Sequence, residues 1–222
     1  MVRVRLGVCV VLAACNGTNI VAPTAGDDPD PVASDGTPHR LSQTDDTTVG
    51  EGMSLACSDV NGTLENSWYR VFALRDFHVV NTFIVNRVNF GVQNAIGKQR
   101  VKVSIGTYGG DAGAEQLDTT KIDVLAMTTI PVYPTDVGEI LQANFPAVEV
   151  RPDANLVVEI RSEGHGADAS RAGTYFYLGA TKGPEAISGY LRAPACTGPD
   201  PLMTSALGYV KSHLIISVSG TD

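Results

Sequence analysis

Several absences narrow the reading of this 222-residue sequence. No apolar run approaches the roughly 20 residues that a membrane-spanning helix needs. There is no G-x-S-x-G elbow, no Walker loop and no Rossmann glycine pattern, so the common hydrolase and nucleotide-binding signatures are missing. None of the four histidines stands in an H-E-x-x-H or similar spacing, which leaves a zinc site unsupported. Positive charge is scarce: 16 Lys and Arg against 24 Asp and Glu give a formal net charge of −8. An acidic chain without basic clusters argues against nucleic acid as a partner. No internal repeat appears at solenoid or propeller periods. Cysteine is also rare, at four residues, and each one needs its own account.

The first fifteen residues, MVRVRLGVCVVLAAC, place Arg3 and Arg5 ahead of an uncharged stretch from Leu6 to Ala14. Small residues then precede Cys15. This is the order of a secretory signal, expected to span residues 1–14. As a helix, that stretch covers only about 14 Å, against a bilayer core of about 30 Å. The alternation of Val2, Val4, Leu6, Val8 and Val10 also fits a half-buried strand. Two arginines at the start and a polar stretch afterwards favour the signal.

Residues 15–52 hold no aromatic residue and no apolar period. They are rich in Asp, Thr, Pro and Gly, and carry most of the net negative charge through Asp27, Asp28, Asp30, Asp35, Asp45, Asp46 and Glu51. Such a composition cannot bury enough surface to offset the entropy of ordering it. It reads as a disordered acidic tether with a mean span on the order of 35 Å.

The remainder, residues 53–222, is long enough for one domain with its own core. SWYRVFAL (67–74), TFIVNRVNFGVQNA (82–95), RVKVSIGTY (100–108), KIDVLAMTTIPV (121–132), NLVVEIRS (155–162), TYFYLGA (174–180) and HLIISVSG (213–220) have period-two alternation with β-branched or aromatic content. Ile84, Asn86, Val88, Phe90 and Val92 share one parity, and Val101, Val103 and Ile105 another face. TDVGEILQANF (135–145) can be a short helix or a further strand, Gly138 weakening the helix. About eight strands with little helix predict an all-β, antiparallel β-sandwich of jelly-roll-like proportion.

Two resemblances add to this. Leu12-Ala13-Ala14-Cys15 resembles the bacterial lipobox, in which cleavage leaves the cysteine as an acylated N-terminus. The resemblance implies a lipid bilayer as partner through Cys15. Asn16 after that cysteine implies outer-membrane sorting by analogy with Gram-negative lipoproteins. Labelled palmitate is then expected to enter the wild-type chain and not a Cys15→Ser variant. Cys9 would leave with the signal, so Cys57 and Cys196 remain as an even pair. In an exported chain this favours a disulfide over two buried thiols. The first and last strands of a sandwich are often neighbours, and the two cysteines precede those strands. The second resemblance rests on ACSDVNGTLENSWYRVFAL (56–74) and YLRAPACTGPDPLMTSALGYVKSHLIISVSG (190–220). These are similar to a β-sandwich accessory domain of bacterial secreted and surface proteins, whose motifs are structural and specify no chemistry. Ala73 stands where that family often has an acid.

Candidate chemistry is thin. His39 falls in the tether, and His213 opens the last strand as a packed residue. Asp76, His78, His165 and Asp168 lie in turns between the expected strands and define the alternative reading, a hydrolase with a loop-built site. Asp111, Glu115 and Asp118 in GTYGGDAGAEQLDTT (106–120) could offer oxygens to calcium, although a solvated acidic hairpin is the commoner outcome. Asn16 and Asn61 match the glycosylation pattern, which is idle in a bacterial lipoprotein. Trp68 and Tyr69 must point to opposite faces. Tyr175 and Tyr177 share a face, and if that face is outward they can stack on sugars or insert at a protein interface. The expectation is a non-enzymatic, lipid-anchored envelope or surface protein with no cofactor and no metal, binding a glycan or another envelope protein. A purely structural envelope role is the remaining alternative.

Overall fold

Two antiparallel sheets dominate the computed structural model, which describes residues 36–165 and 172–222. In chain order the strands are β1 (Pro38–Ser42), β2 (Ser58–Asp59), β3 (Gly62–Thr63), β4 (Asn66–Ala73), β5 (Phe83–Ile96), β6 (Gln99–Tyr108), β7 (Ile122–Val132) and β8 (Ile140–Val150). There follow β9 (Asn155–Ser162), β10 (Tyr175–Leu178), β11 (Ala180–Thr181), β12 (Tyr190–Ala193), β13 (Gly198–Met203), β14 (His213–Leu214) and β15 (Ile216–Thr221). Helical geometry among the described residues is confined to the short 3-10 turns Leu74–Phe77, Thr119–Lys121 and Pro134–Asp136. The segment 135–145 is therefore a turn followed by strand β8. Pro134 and Gly138 break a helix there, while Ala143 and Phe145, then Val148 and Val150 beyond a break in register, supply the alternation of a half-buried strand.

One sheet runs β1-β15-β5-β10, with β8 also paired to β5; the other runs β13-β12-β4-β9-β6-β7. Val85, Phe90 and Val218 of the first and Trp68, Val103 and Ile160 of the second belong to one contiguous apolar core. The face expected for Val101, Val103 and Ile105 is fully buried there. In β5 the expected single parity does not hold. Phe83 and Val85 are buried, then Val88, Phe90 and Val92, because β5 carries one extra residue, Asn86, between Val85 and Arg87 in its ladder with β15. A bulge spends one extra residue and returns the following side chains to the core face.

Every residue of β4 is buried. Trp68 and Phe72 enter the main core, and Tyr69 and Val71 face the other way, as the opposite parities of Trp68 and Tyr69 require. That second face is covered by a small cluster with Tyr108, Leu117, Val157 and Tyr190. The β6–β7 connection folds over it. The Tyr190 hydroxyl lies 2.8 Å from the Ala112 carbonyl oxygen and 2.9 Å from that of Ala114. Leu117 N–H donates to the Pro201 carbonyl at 3.0 Å.

The expected tether boundary at residue 52 moves. Strand β1 lies within it and pairs along β15, with Leu41 fully buried in the core. Beyond β1, the Gln43 side chain donates to the Val71 carbonyl at 3.1 Å. Asp46 accepts from Thr48 N–H at 2.8 Å and from the Thr181 hydroxyl at 2.5 Å. The Thr181 bond, then those from Thr48, holds the Asp46 carboxyl below its ordinary range. Composition missed this because one leucine and a free sheet edge suffice to order a short polar strand. The described residues fall in one compact unit, Asp35–Asp222. The expected signal and Cys15 lie outside the described residues.

Cys57 and Cys196 form a disulfide. Cys57 is buried before β2, and Cys196 is exposed in the β12–β13 turn. It is the pairing of β12 with β4 that brings them together, rather than the adjacency of first and last strands. Asn66 holds the near end, accepting from Cys57 N–H at 2.7 Å and donating to the Cys57 carbonyl at 3.0 Å.

Candidate functional site

The outer face of the six-stranded sheet carries a cleft of about 320 Å³. Its residues line up because paired strands place directly opposite side chains on the same face. One row crosses the sheet as Tyr190, Tyr69, Glu159, Ser104 and Met127, and the next as Arg192, Ser67, Arg161, Lys102 and Thr129. On the far side of the first row, Val157 and Gly106 are opposite each other, and Val124 is opposite Gly106. Gly106 sits at a β-bulge, and a Cβ there would meet the Asp123 carbonyl oxygen at 2.5 Å. Glycine thus permits the close strand approach that shapes the cleft beside Thr119, Ile122 and Val124.

The carboxylate of Glu159 is held at both oxygens. The Tyr69 hydroxyl donates to one at 2.8 Å, and the Ser104 hydroxyl to the other at 3.1 Å. Burial first, and then the negative charge of Glu159, push the Tyr69 hydroxyl well above its ordinary range. It remains a protonated donor at any working pH. Burial also raises the Tyr190 hydroxyl, with Tyr108 and Asp111 adding to the shift.

At the other side stand two guanidinium groups. Arg161 Nη2 lies 3.2 Å and Arg192 Nη1 2.5 Å from the same oxygen of Glu65. Arg192 Nε donates to the Pro199 carbonyl at 2.8 Å, tying it to the turn that holds Cys196. Lys102 pairs with Glu163. The floor therefore combines a fixed carboxylate, hydroxyl groups and an arginine pair, a set that can accept and donate hydrogen bonds at once.

The residues singled out from sequence lie elsewhere. Tyr175 and Tyr177 are on the outward face of β10, half-buried, while Phe176 and Leu178 enter the core. Their rings pack edge to face with centroids 6.3 Å apart. Tyr177 is hydrogen-bonded to the Ser58 hydroxyl at 2.9 Å, and the Tyr175 hydroxyl lies 3.2 Å from the Asp59 carbonyl oxygen. The pair thus lies on the outward face that the sequence reading required of it and packs against the β2–β3 hairpin.

His78 is exposed, with a left-handed backbone that closes the 3-10 turn after β4. His165 follows β9 and lies 3.1 Å from Asp59. Ala73 pairs with Asn155 at one end of the β4–β9 ladder and Asn66 with Ser162 at the other. His78 and His165 thus leave opposite ends, roughly 23 Å apart along the strands, and Asp168 lies outside the described residues. His39 contacts Asp222, and His213 contacts Glu185, neither in the cleft. Asp111 caps Gly113 N–H, and Asp118 caps Thr120. Among the described residues no three His, Cys, Asp or Glu side chains gather as a metal site.

Sequence reasoning recognised β4 and β9 as strands but passed over Tyr69, Glu159, Arg161 and Arg192 as a set. The signal present was Glu159 and Arg161 at alternate positions of an otherwise apolar strand. Polar residues on one strand face ordinarily mean only a wetted surface.

No protein-family model matches the sequence, and no curated protein does. Among solved structures, the crystal structure of the cysteine protease and lectin-like domains of Cwp84, a surface layer associated protein of Clostridium difficile, is similar at a TM-score of 0.48 and 10% identity. The likeness covers 72% of this chain and 32% of that one, so the chain spans about a third of its length.

Proposed function

We propose that this chain is a non-catalytic binding module of a bacterial envelope or surface lipoprotein, and that its ligand is a glycan held in the outer-face cleft. The two sheets are read as a jelly-roll-like β-sandwich. Acylated Cys15 anchors the chain, with outer-membrane sorting, and the acidic segment ahead of β1 serves as a shortened tether. The observation that carries the reading is the Glu159 carboxylate held by Tyr69 and Ser104 beside the Arg161–Arg192 pair. Sugars present neighbouring hydroxyls that each donate and accept. A pre-set acceptor next to planar donors satisfies both without ordering the site on binding. A disulfide in the fold suits an exported protein.

A glycan array probed with the wild-type chain and with Glu159→Gln, each with and without calcium, tests this. At least one glycan class should bind, chelation should leave binding unchanged, and Glu159→Gln should weaken it about tenfold or more, since a hydrogen bond to a charged group is lost. Binding that ignores the substitution would move the ligand away from the cleft. A blank array together with an envelope protein captured by pull-down would replace the glycan with a protein partner.

A further inference from the structure

We infer that the ligand of the cleft is an acidic sugar, a uronate residue of a polysaccharide, whose carboxylate replaces Glu65 between Arg161 and Arg192. This rests on the glycan reading above and deepens it.

Two guanidinium groups from different strands, β9 and β12, converge on a single oxygen of Glu65. Each guanidinium has five N–H donors in a planar fork suited to two-point binding of a carboxylate. The shared oxygen, with the Pro199 carbonyl on Arg192 Nε, leaves part of that capacity unused. Arg161 Nε is enclosed by protein and has no hydrogen-bond partner among the described residues. Glu65 comes from the turn before β4 rather than from the sheet, and its side chain is 35% exposed. The arginines project from β9 and β12, each paired with β4, whereas the acid between them comes from the connection leading into β4. A protein carboxylate in that position stands in for an anionic ligand and keeps the two cations from repelling each other in its absence.

The rest of the cleft sets the ligand's second requirement. Glu159 lies one row away on the same strand face as Arg161. Its two oxygens accept from Tyr69 and Ser104 and can accept further bonds from ligand hydroxyls. A simple inorganic anion would be repelled by Glu159 and would leave those acceptors idle. A ring bearing a carboxylate at one edge and hydroxyls at the other matches both rows. Lys102, in register with Arg161 and paired with Glu163, extends the cationic row by one strand for a second acidic residue of the same chain.

The experiment titrates the full chain with a panel of oligouronates and with the same oligosaccharides after reduction of their carboxyl groups to hydroxymethyls. At least one oligouronate should bind about tenfold or more tightly than its reduced counterpart, and that preference should vanish in Arg161→Ala/Arg192→Ala. Glu65→Gln removes the competing charge and should tighten uronate binding about fivefold, the worth of one exposed ion pair. A variant that merely misfolds cannot bind more tightly. Equal affinity for acidic and reduced sugars, or weaker uronate binding by Glu65→Gln, would overturn the inference while leaving the glycan reading in place. Binding to no member of either set, after a blank glycan array, would end both.

Discussion

Replacing Glu185 with alanine is expected to lower the unfolding free energy by about 3–5 kcal/mol, the usual consequence of stranding one member of a buried ion pair. Its partner Arg70 projects from β4 into the interior with its side chain 1% exposed, and the Glu185 side chain is 6% exposed. Arg70 Nη2 lies 2.7 Å from one Glu185 oxygen, and His213 Nδ1 lies 2.6 Å from the other. The guanidinium also donates to the carbonyls of Ile187 and Leu214. Burial depresses its proton affinity, and Glu185 opposes that. Without the carboxylate, two carbonyl dipoles must hold a full positive charge in a poorly solvated place. For a domain of this size the midpoint should fall by about 10 °C. The double variant Arg70→Met/Glu185→Leu, which removes both charges, should cost less than Glu185→Ala alone. Urea titration of the three proteins decides it. A Glu185→Ala variant within about 1 kcal/mol of wild type would mean that the carboxylate is not what keeps Arg70 inside.

The second large effect concerns the Cys57–Cys196 bond, whose cysteines are 139 residues apart in sequence. In the chain-entropy model a loop of that length is worth roughly 5 kcal/mol, and removal of native disulfides from small secreted domains typically costs about 2–5 kcal/mol. Cys57→Ser/Cys196→Ser should therefore shift the urea midpoint strongly downward. Because Cys196 is exposed, dithiothreitol should reproduce most of that shift in the wild type and do nothing further to the double variant. Coincident wild-type curves with and without reductant, recorded alongside a thiol assay showing complete reduction, would contradict the expected contribution.

What was legible in the sequence was periodic or covalent. Val101, Val103 and Ile105 declared their face by alternation alone, and Cys57 with Cys196 were the even remainder. What escaped was set by neighbours distant in the chain. The slip after Val85 is imposed by the ladders to β8 and β15, so the shared parity of Ile84 and Val88 was broken by its partners. Leu41 looked like an isolated apolar residue until β15 offered it an edge. Arg70 sits on the core parity of β4, where a period-two reading expects an apolar residue, and only Glu185, 115 residues away, explains it. The cleft is hidden for the same reason. Tyr69, Ser104, Glu159 and Arg192 become one site only when β12, β4, β9 and β6 lie side by side.

The covalent link between positions 57 and 196 has a mechanical consequence. Tyr69, Ser104, Glu159, Arg161 and Arg192 all fall between those two positions. If the leading end is hauled while the cleft grips a fixed polymer, β1 peels off and residues 36–56 pay out, about 70 Å of slack. Extension beyond Cys57 would then be limited, because the sulfur bond ties that position directly to Cys196 in the turn that follows β12. Were the proposed polymer bound, the fold would give way at its edge like a fuse before strain reached the cleft.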